Sequence, residues 1–368
     1  MKLLLMIAEV GKNTLFLCMQ CGTCSASCVS KSSFNLRRLV FESFSKNRDF
    51  KDPDLWDCTT CHNCQSRCPR GIPLTEMIIN SRKEFVEEGF VPPEIRNYLN
   101  SIQKFRNPFG QPKHRRVEWA SDLDLKILDS SDTEFEWLWF VGCLSSYDAR
   151  AQEVARKTAR IFNEIGLNFA ILGNKEGCCG NDALALGEEG LFELLKEENE
   201  SIFEEYGVKK LITSSPHCYN IFKNYYGIET VSALEIVHRA IKEGTLAFKH
   251  DVEARITYHD PCYLGRYNGI YDIPREVLKS IYNIEFVEMR RIRENSFCCG
   301  GGSGNFMRES KSRANVSRAR EAVQTGADIL AVSCPICLNM LEDGVKSINA
   351  DIEVMDIMEI VHLAMFGE

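Results

Sequence analysis

Two runs of cysteine constrain this chain more than any other feature. "CMQCGTCSASC" carries Cys18, Cys21, Cys24 and Cys28, and "CTTCHNCQSRCP" carries Cys58, Cys61, Cys64 and Cys68, followed by Pro69. Both follow C-x2-C-x2-C-x3-C, the spacing that grips a cubane [4Fe–4S] cluster with three thiolates on one tight loop. The fourth cysteine of such a run ordinarily ligates the other cluster. By that rule one cluster takes Cys18, Cys21, Cys24 and Cys68, and the other takes Cys58, Cys61, Cys64 and Cys28. The competing reading is a pair of zinc sites. Zinc needs only four ligands and usually takes them as two separated pairs, so four cysteines packed into eleven residues, twice, suit it poorly.

This is the spacing of bacterial ferredoxins. The segment between the runs places Phe34, Leu36, Leu39, Val40 and Phe44 at roughly helical spacing, and "PLTEMIINSRKEFVEEG" predicts a second helix ending at Gly89. Residues 1–100 therefore read as a mainly helical two-cluster ferredoxin-type domain. Residues 101–135, with Pro108, Gly110, Pro112 and a charged tract, read as a connector.

The whole chain has 368 residues and 17 cysteines, an odd number. The N-terminal "MKLLLMIAEV" is too short to span a membrane, lacks a small-residue cleavage site, and reads as a first helix or strand. With no export signal, the expected location is cytoplasmic, with any membrane link made through a partner. Clustered cysteines then mean metal or redox chemistry rather than structural disulfides. The net charge of −8 argues against a nucleic-acid partner.

The remaining nine cysteines fall into a duplication. Cys143 is followed 35 positions on by Cys178 and Cys179, and Cys262 is followed 36 positions on by Cys298 and Cys299. The second copy continues with "SCPIC", holding Cys334 and Cys337, where the first has "SSPHC", so Ser215 stands where the second copy has a cysteine and Cys218 matches Cys337. Adjacent cysteines rarely pair with each other, because the geometry is strained. Each copy alternates strand-like segments ("WLWFVGC", "NFAILG", "KKLITSS"; "RITYHDPC", "IEFVEM", "ADILAVSC") with helical ones, which predicts two small parallel α/β units, 136–250 and 251–368. Several cysteines fall at C-terminal strand ends, where open α/β sheets hold their ligands. The overall fold class is thus mixed, a helical ferredoxin-type domain followed by two duplicated α/β units.

"YHDPCYLGRYNGIYDIPRE", "CCGGGSGNFM" and "CPICLNMLEDGVK" resemble the CCG domain of heterodisulfide reductases, and "CMQCGTC" and "CTTCHNCQSRCPRG" resemble their small two-cluster subunit. The chain looks like a fusion of the two. The resemblance implies a noncubane [4Fe–4S] cluster on Cys262, Cys298, Cys299, Cys334 and Cys337. It also implies paired noncubane clusters that split a disulfide, and Ser215 breaks that symmetry, because a hydroxyl holds its proton far more tightly than a thiol. Cys143, Cys178, Cys179 and Cys218 are left with three possibilities: an ordinary four-thiolate cluster, a modified noncubane cluster, or nothing stable.

Other candidates are weaker. His259, before Cys262, can protonate a departing thiolate, but a structural turn with Asp260 as its cap is the preferred reading. His217 reads as a packing histidine before a ligand. Gly300, Gly301, Gly302 and Gly304 lack dinucleotide-loop order and read as close-approach residues for a cluster. "MRRIR", Met289 to Arg293, reads as a solvated face or an anion-steering patch. No flavin or nicotinamide motif is present, so electrons come from a redox partner subunit, a flavoprotein or another iron–sulfur protein. The preferred function is an electron-transfer subunit of a heterodisulfide-reductase-like complex. The alternative is a catalytic disulfide reductase with its substrate at the C-terminal cluster, where Cys262, Cys298, Cys299, Cys334, Cys337 and His259 are the candidate reacting groups. Whether the chain is itself an enzyme stays open between them.

Overall fold

A computed structural model describes residues 15–30, 35–44, 53–129, 134–308 and 313–368. The N-terminal apolar run and Phe34 lie outside the described residues.

The ferredoxin-type region is helical. Short helices Thr23–Ser27 and Asn63–Ser66 follow the two cysteine loops, and Leu36–Phe44, Leu74–Glu87 and Pro93–Phe105 supply the bulk. Leu36, Val40, Ile78, Ile95 and Ile102 are buried at helical spacing. The helix Leu74–Glu87 ends where the sequence stops it: Gly89, just beyond its cap, has φ +73°, a conformation that costs glycine little.

Two four-stranded parallel sheets follow, one per repeat. The strands are β1 (Trp137–Phe140), β2 (Phe169–Ala170), β3 (Lys210–Thr213), β4 (Glu229–Ser232), β5 (Ala254–Tyr258), β6 (Ile284–Val287), β7 (Ile329–Val332) and β8 (Glu353–Asp356). Their orders are β2-β1-β3-β4 and β6-β5-β7-β8, the same topology twice. β1 and β7 are buried along their whole length, as central strands covered on both faces must be. The duplication extends to helix capping. Ser232 at the end of β4 and Asp356 at the end of β8 each form a capping box with the Glu three residues on, Glu235 and Glu359. The repeats are bolted together by Arg150, which binds Glu342 at 2.7 Å and the buried Glu359 at 2.6 Å.

Residues 101–135 do more than connect. They contain the end of the helix Pro93–Phe105 and a 3-10 helix, Lys113–Ala120, and Ile127 forms a parallel bridge with Ile171 at the edge of the first sheet. Trp119 packs edge-on against Trp139 of β1, ring centroids 5.7 Å apart, so this tract is part of the first repeat's wall.

Candidate metal centres

In each sheet the strand order turns at the centre, between β1 and β3 and between β5 and β7, and open α/β sheets bind ligands at that switch point. The cysteines gather there. In the second repeat Cys262 follows β5, Cys298 and Cys299 follow β6, and Cys334 is the N-cap of the helix Pro335–Lys346, whose first turn carries Cys337. All five are at most 5% exposed. Cys337 Sγ lies 3.3 Å from Cys299 Sγ, and Cys298 is in contact with both Cys262 and Cys299. The backbone N–H of Gly300 donates to Cys298 Sγ at 3.3 Å.

His259 joins this group, with ligand atoms of His259, Cys299 and Cys337 all within 4.8 Å of one another. Arg318 Nε donates to His259 Nδ1 at 3.1 Å, which leaves the ring proton on Nε2. Burial, first of all, holds the imidazole below its usual pKa, so the neutral donor form prevails. His259 Nε2 and Arg266 Nη2 are both buried without a hydrogen-bond partner among the described residues. Two orphaned donors beside five thiols are what an anionic sulfide-bearing cluster satisfies, so these residues fit such a group. Asp260 is different. It pairs with Arg275 at 2.7 Å and accepts from Arg293 N at 2.8 Å, a structural clamp. In the basic stretch, Arg291 is tied to Glu321 and Arg293 to Asp272.

The glycines after Cys299 answer to the protein around them. A Cβ on Gly302 would stand 2.3 Å from the Thr59 carbonyl oxygen, and one on Gly301 would stand 2.4 Å from the Ile336 side chain. The close approach is thus to the ferredoxin-type domain and to the helix after Cys334.

In the first repeat, Cys143 opens a short helix after β1. Its sulfur contacts Cys178, which contacts Cys179, which contacts Cys218. Ser215 caps the helix Pro216–Ile221 in the position Cys334 holds in the other copy. Arg116, from the connector, comes within 3.6 Å of Cys143 Sγ. It is buried with Glu176 at 2.6 Å, and Glu176 accepts from Val141 N and Gly142 N. Burial alone would lower the arginine's pKa, but Glu176 and Cys143 outweigh it and hold Arg116 charged. The four thiols and Ser215 line one pocket that opens to solvent. Its polar corner is Asp182, which accepts from Tyr98 Oη–H at 2.6 Å, beside His217. His217 is buried and packs 4.1 Å from the Tyr263 ring, a packing role with a polar edge at Asn181.

The ferredoxin-type loops share a backbone device. Gln20 and Gly22 in the first, and Thr60 and His62 in the second, all have positive φ at matching positions between the cysteines. Cys18, Cys21, Cys24 and Cys68 line one cavity of about 370 Å³. Cys28 is held above its usual pKa by burial and then by neighbouring Cys58 and Cys61, which places it with the second run.

The second run is docked on the second repeat. Cys61 and Cys298 are in contact, and Thr59 Oγ1 is 3.8 Å from Cys298 Sγ. Thr60 Oγ1 bonds Tyr263 Oη at 3.1 Å and Ser303 Oγ at 2.9 Å, while Tyr267 Oη–H donates to the Thr60 carbonyl at 2.6 Å. Arg82, fully buried, ties the same loop to the first repeat, donating to the carbonyls of Leu55, Trp56, Cys58 and Ala185.

Residues 14–72 match a 4Fe-4S dicluster domain, and residues 137–223 and 256–342 each match the cysteine-rich CCG domain. A probable iron-sulfur-binding oxidoreductase, FadF, of Bacillus subtilis is 39% identical over 86% of this chain and 47% of its own length. The EtfAB:quinone oxidoreductase of Syntrophomonas wolfei is 33% identical over 84% of this chain and 46% of its own. The chain therefore spans about half the length of these two relatives. One subunit of the dihydromethanophenazine:CoB–CoM heterodisulfide reductase of Methanosarcina mazei is 33% identical over 87% of this chain and 80% of its own length. This chain belongs to the heterodisulfide-reductase-like family of iron–sulfur proteins. Among the described residues of this family member, no helix is long and apolar enough to cross a membrane.

Sequence reasoning found every cysteine of this heterodisulfide-reductase-like chain but missed Arg82, Arg116 and Arg266. Nothing in their local sequence marks them, because each acts on a segment remote in the chain.

Proposed function

We propose that this protein is the electron-transfer subunit of a heterodisulfide-reductase-like complex. Cys18, Cys21, Cys24 and Cys68 would hold one cubane cluster, and Cys28, Cys58, Cys61 and Cys64 the other. Cys262, Cys298, Cys299, Cys334 and Cys337 would hold a noncubane cluster. Cys143, Cys178, Cys179 and Cys218 offer a further four-thiolate site. Iron–sulfur clusters supply one-electron storage and transfer when bound.

The observation that carries the reading is the contact between Cys61 and Cys298. Cys61 would be a ligand of the second cubane set and Cys298 one of the five-cysteine set, and both are buried. Cys21 is exposed at the far end, which suits a redox partner subunit, a flavoprotein or another iron–sulfur protein. The reductase-subunit and quinone-oxidoreductase names of the relatives support such a partner.

The disulfide-reductase alternative would bring its substrate against a cluster held in the open pocket that the four thiols line. It moves the substrate from the five-cysteine set, which is sealed beneath the ferredoxin-type domain, to the first repeat. Metal and sulfide analysis with EPR on anaerobically purified protein tests the proposal. About sixteen irons mean four filled sites and about twelve an empty first repeat. Zinc in place of iron refutes it, and turnover of a mixed disulfide with a thiol-induced EPR change favours the alternative.

A further inference from the structure

Arg266 sits where the second cysteine loop meets the second repeat. Its Nε donates to the Cys61 carbonyl at 2.6 Å and its Nη1 to the Ser296 carbonyl at 2.7 Å. Nη2 is buried and has no hydrogen-bond partner among the described residues. The ionisable neighbours the guanidinium faces are Cys61 of the cubane set, Cys262 and Cys298 of the five-cysteine set and, after them, the Tyr271 hydroxyl. No carboxylate among the described residues forms an ion pair with it, whereas the buried Arg116, Arg275 and Arg318 pair with Glu176, Asp260 and Glu321.

The Arg266 side chain is half-buried, and a guanidinium whose inner edge is buried without a counter-charge is unfavourable. An orphaned N–H beside it adds the cost of an unmade hydrogen bond. Both costs disappear if the counter-charge is the pair of anionic clusters that these thiolates hold. A fixed cation in a dry site stabilises the more negative, reduced state of whatever it faces. Arginine keeps its proton at any physiological pH, so this bias is permanent.

We propose that Arg266 is a positioning residue for electron transfer between the second cubane site and the five-cysteine site. It staples the Cys61 loop to the Cys298 loop and raises the reduction potentials of the two clusters at that junction relative to the outer cubane on Cys18, Cys21, Cys24 and Cys68. This rests on the electron-transfer reading above.

The test is an EPR-monitored redox titration of the intact, anaerobically purified protein as wild type, Arg266→Gln and Arg266→Lys. With iron content unchanged, Arg266→Gln should lower the midpoint potentials of the two junction clusters and leave that of the outer cubane in place. Arg266→Lys, which keeps the charge, should fall between. Unshifted midpoints at full iron content overturn the inference alone. Iron loss in both variants, with the residual signals titrating at wild-type potentials, also overturns it, because Arg266 is then only a staple. Wild-type protein that holds zinc, or a Cys298→Ala variant that keeps all its iron, overturns the electron-transfer reading itself and the inference with it.

Discussion

The two repeats share a strand order, a switch point and a capping box, yet they treat their thiols in opposite ways. The second repeat has five buried cysteines, covered by the second ferredoxin-type loop, with two orphaned donors turned toward them. The first has four, with Ser215 at the fifth position, an internally paired arginine against Cys143, and a cavity in front. Duplication supplied one frame, and what covers each frame separates the two. One set of thiols is closed over by a neighbouring domain, and the other opens onto a pocket of its own.

Removing one cysteine from each set has the largest expected effect. Cys298→Ala should cost the protein about four of its irons, and Cys178→Ala about four more if the first repeat is filled. Iron analysis that shows a loss for one and none for the other would fix which site is occupied. Arg82→Ala comes next. It strips four carbonyls of their donor, and we expect a loss of roughly 3 kcal/mol or more in chemical denaturation. Because Arg82 joins the second cysteine loop to the first repeat, limited proteolysis should find that junction first.

Ser215→Cys restores a fifth thiol beside Cys143, Cys178, Cys179 and Cys218. If the serine alone separates the two sites, the variant should gain a second copy of the EPR signal carried by the five-cysteine set, and an unchanged spectrum would show that Arg116 also matters. Arg116→Gln should then lower the midpoint potential of the first-repeat cluster and leave that of the second repeat alone.

The narrowest effect, confined to one pH window, concerns the capping boxes. Burial, first of all, raises Asp356 to about 7, while its counterpart Ser232 does not ionise. A carboxyl whose folded pKa lies above its unfolded value keeps a proton that the unfolded chain has released. Its contribution to stability is therefore full below about pH 4 and is lost as the pH rises toward about 7. Asp356→Ser should flatten the denaturation profile across that window and keep the cap. A profile identical to wild type would place the pH dependence elsewhere.

Much of this was legible from cysteine spacing because cluster ligation is a local demand. In a ferredoxin-type run three thiolates come from one tight loop, so Cys18 to Cys24 and Cys58 to Cys64 declare themselves. Strands such as "WLWF" and "ILAV" were legible as continuous apolar runs, and Gly89 as a helix stop. The glycines after Cys299 were legible as close-approach positions, but the surface approached was not, since Thr59 lies far back in the sequence. Residues 101–135 looked like a connector because Arg116 and Trp119 sit in a charged tract with no periodicity. Their partners, Cys143 and Trp139, are reached only through the fold.

By itself the sequence determined the cysteine inventory and its spacing, the duplication, and the asymmetry at Ser215, since each is a matter of which residue stands at which interval. Only the tertiary structure decided that the second cysteine loop meets the second repeat through Cys61 and Cys298, that Arg116 and Glu176 are buried as a pair while Arg266 has no ion-pair partner among the described residues, and that the smaller set of thiols lines an open pocket. Those outcomes depend on contacts between remote segments, 239 positions apart for Thr59 and Cys298. Contacts at that separation leave no periodicity or spacing for the sequence alone to display.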